Sequence, residues 1–249
     1  MVSIADRTVL ITGGNRGIGR ALVAEALSRF AKRVYAGTRQ PLTHSDGRVR
    51  WLTLDVTSAA QTRAAAGEVE SLDVLINNAG VAFHDDLSDR AALEQHLAIN
   101  LFGTYGVTQA FLPLLTRSRG AIVNVLSVAA LAPVPIIPAY SISKAAAFNL
   151  TQSLRLLLAG QGVQVHAVLT GPVDTDMNRG YVLRDALADV PQASPESVAR
   201  AIFDGVEKNE EDIFPDPMSQ AMAESWRSGA AKALERQNAA LADALPVTE

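Results

Sequence analysis

Short runs rich in β-branched and apolar residues alternate with stretches whose apolar positions recur every three or four residues, from the first residues to Gly171. The runs Thr8–Thr12, Arg33–Thr38, Val49–Val56, Leu72–Asn77, Ala121–Ser127 and Val163–Thr170 predict strands. Helical spacing predicts helices over Gly17–Phe30, Thr57–Val69, Arg90–Leu115 with an interruption, and Ala139–Ala159. Near-continuous apolar strands such as AIVNVLS, separated by helices, imply right-handed crossovers and a parallel sheet buried on both sides. The expected class is α/β, a doubly wound parallel sheet with helices on both faces. After Gly171 the rhythm loosens into a loop rich in Pro, Asp and Arg. A helix from about Pro195, a short strand near Asp212–Phe214 and an Ala-rich terminal helix from about Pro217 follow.

Composition narrows the function classes. The chain of 249 residues shows no repeat or interdomain linker and reads as a single domain over 1–249, with a helical extension over 217–245. A hydrophobic content of 48% and a net charge of −4 describe an ordinary globule without a basic field for nucleic acid. No uncharged apolar run is long enough for a bilayer. The first strand starts within about ten residues, which leaves no room for a secretion signal, so a cytoplasmic location is expected. Zero cysteines exclude disulfides and thiolate catalysis, and His44, His84, His96 and His166 show no metal-binding spacing.

The first strand runs into Thr12-Gly13-Gly14-Asn15-Arg16-Gly17-Ile18-Gly19 and then directly into an amphipathic helix. Glycines there permit a tight turn and a close approach of backbone to a pyrophosphate, which the helix N-terminus favours. Gly13, Asn15, Arg16, Gly17, Ile18 and Gly19 are the candidate phosphate contacts. A carboxylate expected nineteen residues beyond Gly19, to hold the ribose hydroxyls of NAD, is replaced by Thr38 and followed by Arg39. Arg39 and Arg16 suit a 2′-phosphate, which favours NADP(H) over NAD(H).

Tyr140 and Lys144 lie one helical turn apart, with Ser127 thirteen residues before the tyrosine. At about 4 Å and an effective dielectric near 20, an ammonium stabilises a phenolate by roughly 4 kcal/mol, enough to bring a phenol from about 10 to about 7. Such a phenol can trade a proton with a carbonyl or alcohol oxygen.

Thr-Gly-x-x-x-Gly-x-Gly, Asp55-Val56, Asn77-Asn78-Ala79-Gly80, Asn100, Ser127, Tyr140-x-x-x-Lys144 and the Gly171–Thr175 segment together resemble the short-chain dehydrogenase/reductase family, over about residues 5–180. The resemblance implies a Rossmann-type three-layer αβα sandwich and hydride transfer with a nicotinamide cofactor. It implies that Asp55 and Val56 touch the adenine, that Asn78, Ala79 and Gly80 wall the nucleotide, and that Gly171, Val173 and Thr175 hold the nicotinamide end. In it Tyr140 is the general acid/base, and Lys144 lowers the tyrosine pKa and holds the nicotinamide ribose. Ser127 binds the substrate oxygen, and Asn100 anchors a water linking Lys144 to solvent. His96 receives no role.

Two departures stand out. Thr170 replaces the family's usual proline before Gly171, which predicts a looser loop. The Gly-rich C-terminal segment that builds a tetramer interface in many relatives is missing, which favours a homodimer through the two long helices. Substrate contacts are expected from Val128–Pro138 and from the loop Met177–Val190, within a substrate loop over 171–195. The uncharged first segment favours a small apolar carbonyl or secondary alcohol, although Arg179 and Arg184 could reach in. The leading expectation is an NADP(H)-dependent carbonyl reductase or alcohol dehydrogenase. An NADP(H)-sensing binding protein on the same fold, and a lyase or dehalogenase working without nucleotide, are the alternatives.

Overall fold

In the computed structural model, which describes residues 3–40, 42–177 and 190–242, seven strands form one sheet, every pairing parallel. They are β1 (Thr8–Thr12), β2 (Arg33–Thr38), β3 (Val49–Thr53), β4 (Val74–Asn77), β5 (Ala121–Val125), β6 (Gln164–Val168) and β7 (Asp212–Ile213), ordered β3-β2-β1-β4-β5-β6-β7. The order reverses between β1 and β4, so the crevice for a ligand opens there, at the carboxyl ends of the strands.

Helices α1 (Gly17–Ser28) and α6 (Pro195–Glu207) are described with one apolar cluster that includes Val9, Ile11, Leu22, Val34, Ile76 and Phe203. On the other side α2 (Ala59–Glu68), α4 (Thr104–Ser118) and α5 (Pro138–Leu158) contribute to a second cluster around Leu10, Leu75, Phe111, Leu115 and Ile122. Alternate residues of β1 thus serve opposite layers, which is why its five residues are all buried. The sheet prediction holds, and three strands stop short of the apolar runs: β3 at Thr53, β5 at Val125 and β6 at Val168. The remaining apolar residues of those runs continue into the loops of the carboxyl edge.

A buried polar seam crosses the sheet. Asn77 Nδ2 donates to Thr108 Oγ1 at 3.0 Å and to Asn124 Oδ1 at 2.9 Å, and Asn124 Nδ2 donates to Thr151 Oγ1 at 2.9 Å. It runs from α4 through β4 and β5 to α5.

The long helix predicted over Arg90–Leu115 is α3 (Arg90–Leu97), a π-helical turn (Ala98–Gly103) and α4. The interruption lies at the π turn carrying Asn100, not at Pro113, which α4 accommodates. The terminal helix is likewise two, α7 (Pro217–Ser228) and α8 (Ala230–Ala242), separated by Gly229 in an extended conformation. This bend lets α8 fold back toward α5 and β7. Arg155 of α5 reaches Asp212 of β7 at 2.9 Å and pairs with Glu235 of α8, while Lys232 lies 2.7 Å from Asp212 and 2.9 Å from Glu235. Trp226 Nε1 donates to Asp212 at 2.8 Å. The extension therefore covers the β7 edge of the sheet.

Candidate active site

At the β1 end of the crevice, Gly13 and Gly17 take left-handed φ values of 67° and 50°. A Cβ at Gly19 would stand 2.1 Å from the Gly13 carbonyl oxygen, so only glycine lets α1 start this close to the turn. Arg16 precedes α1 without a side-chain cap, and no acidic residue occupies the first turn. The helix thus presents amide ends and positive dipole to the crevice, a cradle suited to a phosphate. Asn15 and Arg16 are exposed on its rim, and Ile18 packs against the core behind it.

Neighbouring loops complete this end. Arg39 is exposed just past β2, close enough to Asp55 to help hold that carboxyl below its usual range, after the stronger effect of the Thr57 amide and hydroxyl. Asp55 Oδ1 accepts both Thr57 groups, at 2.9 and 2.7 Å, while Ser58 supplies the cap of α2. Val56 packs where Gly103 lacks a side chain. Asn78 Nδ2 donates to the Thr12 carbonyl at 2.9 Å, and Thr12 Oγ1 accepts the amides of Asn78 and Ala79, both at 3.0 Å. Asn78 and Ala79 thus fasten the glycine turn to the end of β4.

Ser127, Tyr140, Lys144 and Asn100 converge beyond β4 and β5. Ser127 Oγ accepts the Ala129 amide at 3.1 Å, which leaves its own proton free to donate. The Tyr140 hydroxyl is within hydrogen-bonding influence of Ser127. Lys144 Nζ donates to the Val125 carbonyl at 2.8 Å and lies 5.6 Å from the centre of the Tyr140 ring. Asn100 Nδ2 donates to the Val81 carbonyl at 3.0 Å and to Ser143 Oγ at 2.9 Å, and its Oδ1 accepts the Val81 amide at 2.9 Å. A Cβ on Gly80 would come within 3.1 Å of Asn100 Oδ1 and 3.7 Å of Lys144 Nζ.

The electrostatics correct one expectation. Burial pushes the Tyr140 phenol up to about 12, opposed only in part by Ser127, and pushes the Lys144 ammonium down to about 8. Both shifts favour neutral forms, because desolvation penalises phenolate and ammonium alike. The anticipated phenol near 7 does not arise here, because burial outweighs an ammonium that is turned to Val125 and stands 5.6 Å from the centre of the Tyr140 ring.

The Gly171 loop corrects another. Thr170 does not loosen it: the buried Thr170 hydroxyl donates to the Leu126 carbonyl at 3.1 Å, and the Thr170 carbonyl accepts the Val128 amide at 2.9 Å. Val173 pairs with Ala193, and Thr175 packs on Gly17 of the phosphate turn. Arg179, Arg184 and most of Met177–Val190 lie outside the described residues. The other substrate segment, Val128–Pro138, is apolar and partly exposed.

Four supporting residues escaped the sequence reading. Gln61 Oε1 accepts the Asp55 amide at 2.8 Å, Ser143 links Asn100 to α5, Asp85 caps α5, and Asp216 binds Gly171. Gln61 acts over six residues, but Ser143, Asp85 and Asp216 act across the fold, so no local spacing announces them. His96, given no role, is fully buried, stacks on Phe83 with ring centres 4.0 Å apart and meets Tyr140 edge-on at 6.3 Å. Among the described residues no group of three or more His, Asp or Glu could hold a metal ion, and no helix is long and apolar enough to cross a membrane.

A family model described as short chain dehydrogenase matches residues 7–185. The chain is 33% identical over 229 residues to 2-(S)-hydroxypropyl-CoM dehydrogenase 3 of Xanthobacter autotrophicus, covering 80% of this chain and 89% of that one. It is 34% identical over 224 residues to short-chain dehydrogenase/reductase 3 of Bos taurus, covering 83% and 74% respectively. A short chain dehydrogenase from Burkholderia cenocepacia, solved in complex with NADP, superposes with a TM-score of 0.83 at 32% identity, covering 95% of this chain and 98% of that one. With the glycine turn, Asn100, Ser127, Tyr140 and Lys144 gathered along one crevice, the chain belongs to the short-chain dehydrogenase/reductase family of oxidoreductases.

Proposed function

We propose that the protein is an NADP(H)-dependent reductase or dehydrogenase acting on the carbonyl or secondary alcohol of a small apolar substrate. The observation that carries this reading is the meeting of the Ser127 and Tyr140 hydroxyls, with the Lys144 ammonium behind them, at the edge where α1 opens a phosphate cradle. The nicotinamide cofactor supplies the hydride when bound. Gly13, Asn15, Arg16, Gly17, Ile18 and Gly19 would hold its pyrophosphate, and Arg16 and Arg39 its 2′-phosphate. Asp55 and Val56 would meet the adenine, Asn78, Ala79 and Gly80 would wall the nucleotide, and Gly171, Val173 and Thr175 would hold the nicotinamide end.

Ser127 would donate to the substrate oxygen, because the Ala129 amide takes only a lone pair of Oγ and leaves the hydroxyl proton available. Tyr140, neutral at ordinary pH because it is buried, is the acid that protonates that oxygen in reduction. Lys144 can leave Val125 to hold the ribose, and its charge beside Tyr140 then favours proton release. Asn100, buried behind Lys144 with its amide engaged at Val81 and Ser143, keeps the route from the lysine in place.

Val128–Pro138 offers no charge to the substrate, which favours an aliphatic or aromatic carbonyl. Exposed Phe102 and Tyr105, near the start of α4, and Ile142 and Leu157 on α5 support a homodimer through these helices. A cytoplasmic location fits this reading. The test incubates purified protein with NADPH and a panel of ketones and aldehydes. Substrate-dependent NADPH oxidation is expected, and tight NADPH binding without turnover across a broad panel would identify a sensor instead.

A further inference from the structure

The C-terminal helices meet the Gly171 loop through the residue that caps the first of them. Asp216, the cap of α7, is 2% exposed. Its Oδ2 accepts the Gly171 amide at 2.7 Å and the Ser219 hydroxyl at 2.9 Å, and its Oδ1 accepts the Ser219 amide at 3.0 Å. One carboxylate thus caps a helix and fastens a loop that begins 45 residues earlier. The fit is close: a Cβ on Gly171 would lie 2.6 Å from Asp216 Oδ1 and 3.2 Å from Met218 Cβ. Gly171 is therefore small because α7 approaches it, a reason separate from any nucleotide.

Among the described residues, three of the anchors of residues 171–175 come from different parts of the fold. Asp216 takes the Gly171 amide, Ala193 pairs with Val173, and Gly17 leaves room for Thr175. The Ala193 anchor belongs to the far end of the same loop and the Gly17 anchor to the phosphate turn. Asp216 alone of the three brings in the C-terminal helices, and those are secured by the ionic cluster of Arg155, Asp212, Lys232 and Glu235. A charged acceptor on a backbone amide is a strong and directional bond, well suited to fixing one end of a short loop.

We propose that Asp216 is a positioning residue for the nicotinamide half of the cofactor, so that the C-terminal helix pair takes part in cofactor binding through the Gly171–Thr175 loop. The inference rests on the NADP(H) reading above. It requires that disturbing Asp216 affect the nicotinamide end and spare the adenine end, whose contacts lie across the crevice.

The experiment measures Kd for NADPH and for adenosine 2′,5′-bisphosphate, which lacks the nicotinamide half, in wild type, Asp216→Asn and Ser219→Ala. Asp216→Asn places an amide among three donors and loses the strong bond to Gly171. It is expected to weaken NADPH about tenfold, while the bisphosphate changes by less than about twofold. Ser219→Ala disturbs the start of α7 and leaves the Gly171 bond, so both affinities should stay near wild type. Equal losses for both ligands in Asp216→Asn, or no loss for either, would overturn the inference and leave the cofactor reading standing. Wild type binding neither ligand would overturn the cofactor reading itself, and this inference with it. Hydrogen exchange on wild type provides a check without mutation: NADPH should slow exchange in residues 171–177 and 217–222 together. Protection confined to the first segment contradicts the coupling.

Discussion

Asp85 caps the helix that carries Tyr140 from 54 residues away, its carboxylate accepting the Ala139 amide at 3.1 Å. Ile137, the residue at the cap position of α5, provides no side-chain bond. The Asp85 amide returns a bond to the Ile136 carbonyl at 3.4 Å, so the loop after β4 and the apolar segment before α5 are held together on one side of Tyr140. Asp85→Ala is expected to cost about 1–2 kcal/mol of stability, the usual value of a helix cap, as read by urea unfolding. Turnover should fall with it while NADPH affinity holds, because the bond lies at the acid's helix and away from the phosphate cradle.

Tyr140→Phe removes one hydroxyl and keeps the ring that packs on His96. Turnover should drop by about 10² to 10⁴, the range for a lost general acid, with NADPH Kd within about twofold of wild type. Near-normal kcat in this variant would refute the role.

Arg39→Ala tests cofactor choice. Arg39 is exposed and would serve only the 2′-phosphate, so NADPH should weaken by about tenfold or more and NADH hardly at all. Equal losses for both nucleotides would contradict the contact.

The pH profile should separate the two directions of reaction. Burial keeps Tyr140 protonated up to about 12 and releases the Lys144 proton near 8 in the free protein. Reduction, which needs the acid form, should hold across neutral pH. Oxidation, which needs a base, should rise with pH, and its apparent pKa belongs to the coupled pair. Initial rates in both directions from pH 6 to 10 would check this, and an oxidation rate that falls over that range would contradict it.

Stability should show a different profile, set by the ionic cluster under the C-terminal helices. Burial by itself would raise the Asp212 carboxyl, but Arg155 and Lys232 outweigh it and hold it below its usual range. Glu211, opposed by burial in the same way, is held low chiefly by Lys232, with Arg155 adding to it. Their contribution is present above the ordinary carboxylate range and lost as pH falls through the folded values. Lys232 is opposed by burial but raised overall by Asp212 and Glu235, so its contribution is lost only above its usual 10.5. His166 is lowered by burial, so below about 6.5 its protonation favours the unfolded chain. A decline in Tm on the acid side is expected, with a further gain in stability as pH rises from about 8 toward 10, because burial lowers the Lys144 ammonium from 10.5 to about 8 and its charged form favours the unfolded chain. Lys232→Ala, which strands buried carboxylates, should cost about 3–5 kcal/mol in a urea titration at pH 7.

The parts of this molecule legible in sequence are those whose signal is local. Parallel strands buried on both faces write continuous apolar runs, and the glycine turn and Tyr140-x-x-x-Lys144 repeat spacings that geometry imposes. Strand ends were misread at Thr53, Val125 and Val168 because apolar residues also line the carboxyl-edge loops. The break at Gly229 was missed because the Ala-rich pattern runs through it. Asp85 and Asp216 were invisible for a deeper reason. Their partners lie 54 and 45 residues away, and a lone aspartate in a loop reads as solvated until the fold closes over it. The spacing of Tyr140 and Lys144 reveals their attraction but not the burial of both, and burial dominates both pKa values.

The side chains of Asn77, Asn124, Thr108 and Thr151 form one hydrogen-bonded chain through a layer that is otherwise largely hydrocarbon. Hydrocarbon tolerates sliding, whereas these donors and acceptors match in one alignment alone. A slip of either long helix by a residue would leave them facing nothing. The seam therefore acts as a key that admits a single docking of α4 and α5 on the strands, and so fixes where Asn100 and Tyr140 stand relative to each other before any ligand arrives.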